Sequence, residues 1–138
     1  MILRCFGGKI AKTSSIAPTV TIWAPWNLSM KEGSSLSDYT RCYNIASVTL
    51  EQNAIVSQYA YLCTTSHDVS RIDARLISKP IRIGKKAWVG TDAFISMGVK
   101  IGDYAVVGAR ASVFKNVEEW NIVGGTPAKF IKKREISG

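Results

Sequence analysis

Residues 83–117 read IGKKAWVGTDAFISMGVKIGDYAVVGARASVFKNV. Within them Ile83, Val89, Ile95, Ile101, Val107 and Val113 recur every six residues. Small or medium apolar residues stand four places after each, at Ala87, Ala93, Val99, Ala105, Ala111 and Val117. Gly84, Gly90, Gly102 and Gly108 directly follow four of the six. A helix cannot use this period. Six residues turn a helix by about 600°, so successive aliphatics would fall on different faces. Short strands can use it. Ala87 and Val89 are two apart and share a side, as do Ala93 and Ile95, Val99 and Ile101, Ala105 and Val107, and Ala111 and Val113. Where a glycine follows the pair, as at Gly90, Gly102 and Gly108, it permits a bend. Three such segments close a triangular coil of about 18 residues, and coils stack at a strand spacing of about 4.8 Å. The expectation is an all-β fold, a parallel β-helix filled by Ile, Val and Ala.

The first half carries the same signal with slips. Ile10, Ile16, Ile22 and Leu28 are six apart, with Ser14 and Val20 in the matching inner places. Leu36 and Cys42 follow with Thr40 and Ala46 inside, then Leu50, Val56 and Leu62 with Ala54 and Ala60 inside. Register shifts are expected near 31–35 and 47–49. About five coils fit, in a single domain over 1–138. The repeat breaks after Leu62, in CTTSHDVSRIDARLISKP, where Asp68 and Ala74 stand in place of the aliphatics that are due. A long loop over about 63–80 is predicted, and such loops are often functional. His67, the one histidine, stands at its start. A lone histidine is commonly structural; a place where a rigid scaffold hands over to a loop favours chemistry. After Val117 comes GGTPAKFIKKRE. Thr126 and Pro127 read as N-cap and first helical residue. A short C-terminal α-helix over about 127–135 is expected to close the prism, as a plain cap or as an anion contact.

Composition narrows the function. The 138 residues include 18 Lys and Arg against 10 Asp and Glu, a net charge of +8. Such a chain attracts anions: nucleic acid, a membrane surface or a phosphorylated small molecule. Its basic residues are spread out and form no recognised nucleic-acid motif. No apolar run approaches the roughly 20 residues that span a bilayer. The start MILRCFGGK is too short in apolar residues for a signal peptide, and a cytoplasmic protein is expected. Three cysteines without CxxC spacing support neither a disulfide framework nor a zinc ribbon. One histidine cannot supply a three-histidine metal site, so no metal is expected.

The hexads, TSHD at 65–68, PIRIGKKAWVG at 80–90 and IVGGTPAKFIKK at 122–133 together resemble the hexapeptide-repeat acyltransferases, above all the colanic-acid-type and maltose/galactoside O-acetyltransferases. The resemblance covers nearly the whole chain. It implies a left-handed coil, a homotrimer, and acetyl-CoA bound between neighbouring subunits as acyl donor to a sugar or saccharide hydroxyl. By that resemblance His67 matches the catalytic general base. The chemistry asks for one, since a sugar hydroxyl is a poor nucleophile at neutral pH and histidine titrates nearest that pH. Asn44, in RCYN, lies where related enzymes bind the acceptor. Trp88 matches a tryptophan lining the pantetheine channel, or else packs on a trimer neighbour. The backbone N–H near Thr91 corresponds to the oxyanion donor. Ala109 corresponds to a cofactor contact. Lys115 and Lys132 fall where the family binds the CoA phosphates, with Lys129 assisting; the alternative for each is a solvated surface charge. Phe114 departs from the threonine of galactoside enzymes. Relatives also carry a further N-terminal segment, which would add to the acceptor site. Other readings stay open: an amino sugar, serine or antibiotic acceptor, a Cys63–His67 nucleophile, or a non-catalytic basic binding protein.

Overall fold

The structure, a computed structural model, describes residues 2–138. Three sheets form the walls of a prism, and successive strands take them in turn. The first sheet runs Lys9–Ile10, Leu28–Met30, Val48–Leu50, Ile81–Ile83 and Lys100–Ile101. The second runs Ser15–Ile16, Ser35–Leu36, Ile55–Val56, Trp88–Val89, Val106–Val107, Asn121–Gly124 and Lys129–Lys133. The third runs Thr21–Ile22, Arg41–Tyr43, Tyr61–Cys63, Phe94–Ile95 and Ser112–Val113.

Register explains the period of six. Val89 lies between Val56 and Val107, Ile95 between Leu62 and Val113, and Ile83 between Leu50 and Ile101. These stacks and the alanines two places before them make one continuous buried core. Each such aliphatic contributes about 1.5–3 kcal/mol by leaving water. Corners are tight. A Cβ on Gly90 would sit 2.7 Å from the Val107 carbonyl oxygen and 2.8 Å from the Ala109 nitrogen, so only glycine fits there. The corner between the second and third sheets is a straight column. Tyr59 N–H donates to Asp38 O at 3.0 Å, Asp92 N–H to Gln58 O at 3.0 Å, and Arg110 N–H to Thr91 O at 2.8 Å.

Three expectations are corrected. Coil length varies: Ile83 pairs with Ile101 eighteen residues on, but Ile16 pairs with Leu36 and Cys42 with Leu62 twenty residues on. The extra residues lie between the third and first sheets, at 23–27 and 43–47, not near 31–35. Ala46 is therefore only half-buried, and Asn44 takes the interior place. The stretch 63–80 is not an irregular loop. It forms an antiparallel hairpin arm in which Thr65–His67 pairs with Leu76–Ser78. The C-terminal helix is absent: Lys129–Lys133 is a strand, antiparallel to Asn121–Gly124. Without it the Asn121–Gly124 strand would end the sheet with a row of unpaired backbone groups. Pairing that row satisfies more backbone than one helical turn would. Thr126 caps nothing; its hydroxyl donates to Ser112 Oγ at 3.3 Å. The short helical turns Ile2–Cys5 and Pro25–Asn27 are the helical elements among the described residues.

Candidate functional site

The arm leaves the prism at the corner from the third sheet to the first. Thr64 roots it. The Thr64 hydroxyl donates to Tyr43 O at 2.9 Å and accepts the Ala46 N–H at 3.1 Å, while its carbonyl accepts the Lys79 N–H at 2.9 Å. At the tip Asp68 accepts the Ser70 N–H and hydroxyl at 3.1 and 2.5 Å, so its carboxylate is spent on the turn. His67 is exposed, with Nδ1 2.6 Å from Ala74 O. A carbonyl only accepts, so Nδ1 carries a hydrogen, and in the neutral ring Nε2 has the lone pair. The imidazole is thus held in one tautomer by the arm's own backbone.

The other expected residues lie elsewhere on the prism. Trp88 stands on the outer face of the second sheet, between Ile55 and Val106, and is half exposed. Its indole N–H donates to Ser57 Oγ at 2.7 Å, which fixes the ring. The same outer row continues through Val106 and Ile122 to Lys132. Three ladder steps separate Trp88 from Lys132, about 14 Å. Thr91 and Ala109 sit on the adjoining corner column, and among the described residues neither amide N–H meets a protein acceptor. Lys115 and Lys129 line a groove of about 440 Å³ at the end of the prism, with Phe114, Pro127 and Phe130.

Two candidates are engaged internally. Asn44 is fully buried, accepts the Ala24 N–H at 2.9 Å and donates to Ala24 O at 2.8 Å, so it faces no ligand. Cys63 is buried and its thiol donates to Thr65 O at 3.2 Å. With His67 Nδ1 on Ala74, the two form no nucleophile–base pair. Among the described residues no cluster of three His, Cys, Asp or Glu side chains could hold a metal.

Sequence reading missed Ser57, the Ala74 carbonyl and a stripe of aromatics on the outer third sheet. There Trp23 meets Tyr43 edge-on at 5.3 Å, Tyr61 meets Phe94 at 5.5 Å, and Phe94 meets Phe114 at 6.0 Å. Arg41 lies over Tyr61 at 4.2 Å. Burial, and then the neighbouring Cys63, push the Tyr61 phenol up. One outward aromatic per coil was the available signal. Unequal coil lengths hid it.

No family model matches the chain. It is 41% identical over 133 residues to the Escherichia coli K12 protein named as colanic acid biosynthesis acetyltransferase WcaF, covering 96% of this chain and 73% of that one. It is 32% identical over 101 residues to the galactoside O-acetyltransferase of Escherichia coli K12, covering 71% of this chain and 46% of that one. Among solved structures it superposes on the hexapeptide-repeat acetyltransferase VCA0836 of Vibrio cholerae O1 biovar eltor, complexed with acetyl coenzyme A. The TM-score is 0.89 at 25% identity, over 98% of this chain and 75% of that one. Sequence identity sustained along nearly the whole chain, on a prism built of the same stacked hexads, makes this chain a member of the hexapeptide-repeat acetyltransferase family.

Proposed function

We propose that the protein transfers the acetyl group of acetyl-CoA to a hydroxyl of a sugar or saccharide, at sites formed between the copies of a homotrimer. The observation that carries this reading is the tautomer of His67, whose Nδ1–H is held by Ala74 O. Nε2 then accepts the proton of the acceptor hydroxyl as its oxygen attacks the thioester carbonyl. The Thr91 N–H, without a partner among the described residues, donates to the oxyanion of the tetrahedral intermediate. Collapse expels the CoA thiolate, and the imidazolium returns the proton to it. The outer row from Trp88 to Lys132, with Ala109 beside it, accommodates the pantetheine arm, and Lys115, Lys129 and Lys132 meet the phosphates. The acetyl-CoA complex of the Vibrio cholerae relative supports the donor. The names of the galactoside and colanic acid relatives support a carbohydrate acceptor.

The homotrimer is part of the reading for a geometric reason. In one chain His67 and Thr91 flank opposite edges of the third sheet. Around a threefold axis with third sheets facing inward, the His67 edge of one copy meets the Thr91 edge of the next. The surface such packing would cover is apolar: exposed Trp23 and Phe114 on the stripe, and exposed Val69 and Ile72 on the arm. No helix among the described residues is long and apolar enough to cross a membrane. A cytoplasmic site of action belongs to the same reading. The test is an acceptor screen in which CoA thiol release from acetyl-CoA is followed with a thiol reagent. Release stimulated by saccharides supports the reading; stimulation by amines alone overturns O-acetylation.

A further inference from the structure

The acceptor must reach the thioester from the side of Thr91 that the pantetheine arm leaves open. This step rests on the proposed acetyl transfer. The donor residues run from Thr91 toward the C-terminal coils, through Ala109 to the terminal lysines. The open side is therefore the same corner column read toward the N-terminus, where Gln58–Tyr59 and then Asp38–Tyr39 follow. Asn44, the residue expected to hold the acceptor, is occupied inside the prism.

A groove of about 320 Å³ opens on this side, lined by Thr19, Thr21, Tyr39, Arg41, Tyr59 and Asp92. Asp92 directly follows Thr91, so one end of the groove lies at the oxyanion donor. Tyr39 and Tyr59 stack at 5.1 Å and 14°, both more than half exposed. Both hold the left-handed backbone, at φ of 58° and 61°. That conformation costs a bulky residue roughly 1–2 kcal/mol, and asparagine or glycine would hold the turn at less cost. Among the described residues neither phenol hydroxyl has a hydrogen-bond partner, and Arg41 pairs with no carboxylate. The Thr19 hydroxyl is already used on Asp38 and the Tyr39 N–H. The free groups are thus two phenols about one coil apart, ring edges and a guanidinium. Apolar edges beside unspent donors suit a polyhydroxylated ring with C–H faces. They do not suit a purely apolar or a purely ionic ligand.

We infer that the groove between Tyr39, Tyr59 and Arg41 is the acceptor subsite and that it takes a saccharide ring, presenting one ring hydroxyl at Thr91. The test uses the full chain and saturation-transfer NMR with maltose and with methyl β-galactoside as probes. Two variants are compared, Tyr39→Asn with Tyr59→Asn, and Arg41→Gln. Asparagine tolerates the positive φ, and unchanged circular dichroism confirms the fold. Transfer to ring protons is expected in the parent protein and in His67→Ala, and should fall roughly three- to tenfold in each groove variant. Equal transfer in the variants, or none from either sugar to the parent protein, overturns the assignment. Acetyl-CoA binding, followed by calorimetry, should stay unchanged in the groove variants. Its absence in the parent protein would instead defeat the acetyl-transfer reading and leave the sugar result standing.

Discussion

At the residue scale, two side chains with polar heads meet opposite ends. His67 stands exposed with one nitrogen committed to Ala74 O and the other unspent. Replacing it with alanine should lower the rate of CoA release about 10²–10⁴-fold while calorimetry finds CoA binding intact. An unchanged rate would remove His67 from the mechanism. Asn44 spends both ends of its amide on Ala24 inside the prism. Asn44→Ala leaves the Ala24 N–H buried without a partner, while the Ala24 carbonyl keeps only the Asn27 N–H at 2.9 Å, and should cost about 1–3 kcal/mol in a denaturant titration. A loss of acceptor affinity with full stability would restore a binding role to Asn44. The contrast shows what can be read from sequence at this scale. His67 was legible because it is the sole histidine and stands where the repeat breaks. Asn44 was not, because its meaning depends on two extra residues in the coil that no local pattern marks.

At the element scale, the arm and the prism are separable. The hydrogen bonds of Thr65–His67 are with Leu76–Ser78, while the core stacks pass from Leu50 to Ile83 and from Leu62 to Ile95 without using the arm. Replacing residues 66–77 by a short turn should leave the melting temperature nearly unchanged and keep CoA binding. CoA release should fall as far as in His67→Ala. A collapse of stability would show that the arm is part of the scaffold. The hexads were legible because a buried inner row leaves a strict trace: Ala87, Val89, Ala93, Ile95 and their successors are all buried. The last strand was misread for the opposite reason. Phe130, Ile131 and Lys132 are all exposed, so no inner row marks the segment. Its strand character comes from the free edge at Asn121–Gly124, a tertiary circumstance that overrides the helix-start signal of Thr126 and Pro127.

At the scale of the whole molecule, the question is whether one chain or two supply a site. Thr91 offers a clean way to disable the proposed oxyanion donor. It occupies the second place of the turn Gly90–Thr91–Asp92–Ala93, closed by Ala93 N–H to Gly90 O at 3.3 Å, with Asp92 at φ 57°. That is the geometry of a type II turn, which favours proline at this place. Thr91→Pro therefore removes an N–H that has no partner among the described residues and keeps the fold. Alone it should lower the rate about 10²–10³-fold. Mixed with His67→Ala by unfolding and refolding the two together, it should recover activity. Random trimers give each site an intact His67 from one copy and an intact Thr91 from its neighbour about a quarter of the time. The mixture should then show about a quarter of the parent rate, where each variant alone shows almost none. A site made within one chain predicts no recovery, because every chain in the mixture lacks one of the two groups. Sedimentation of the same samples should give a mass near three copies. A monomer that turns over at the full rate would overturn the intersubunit site.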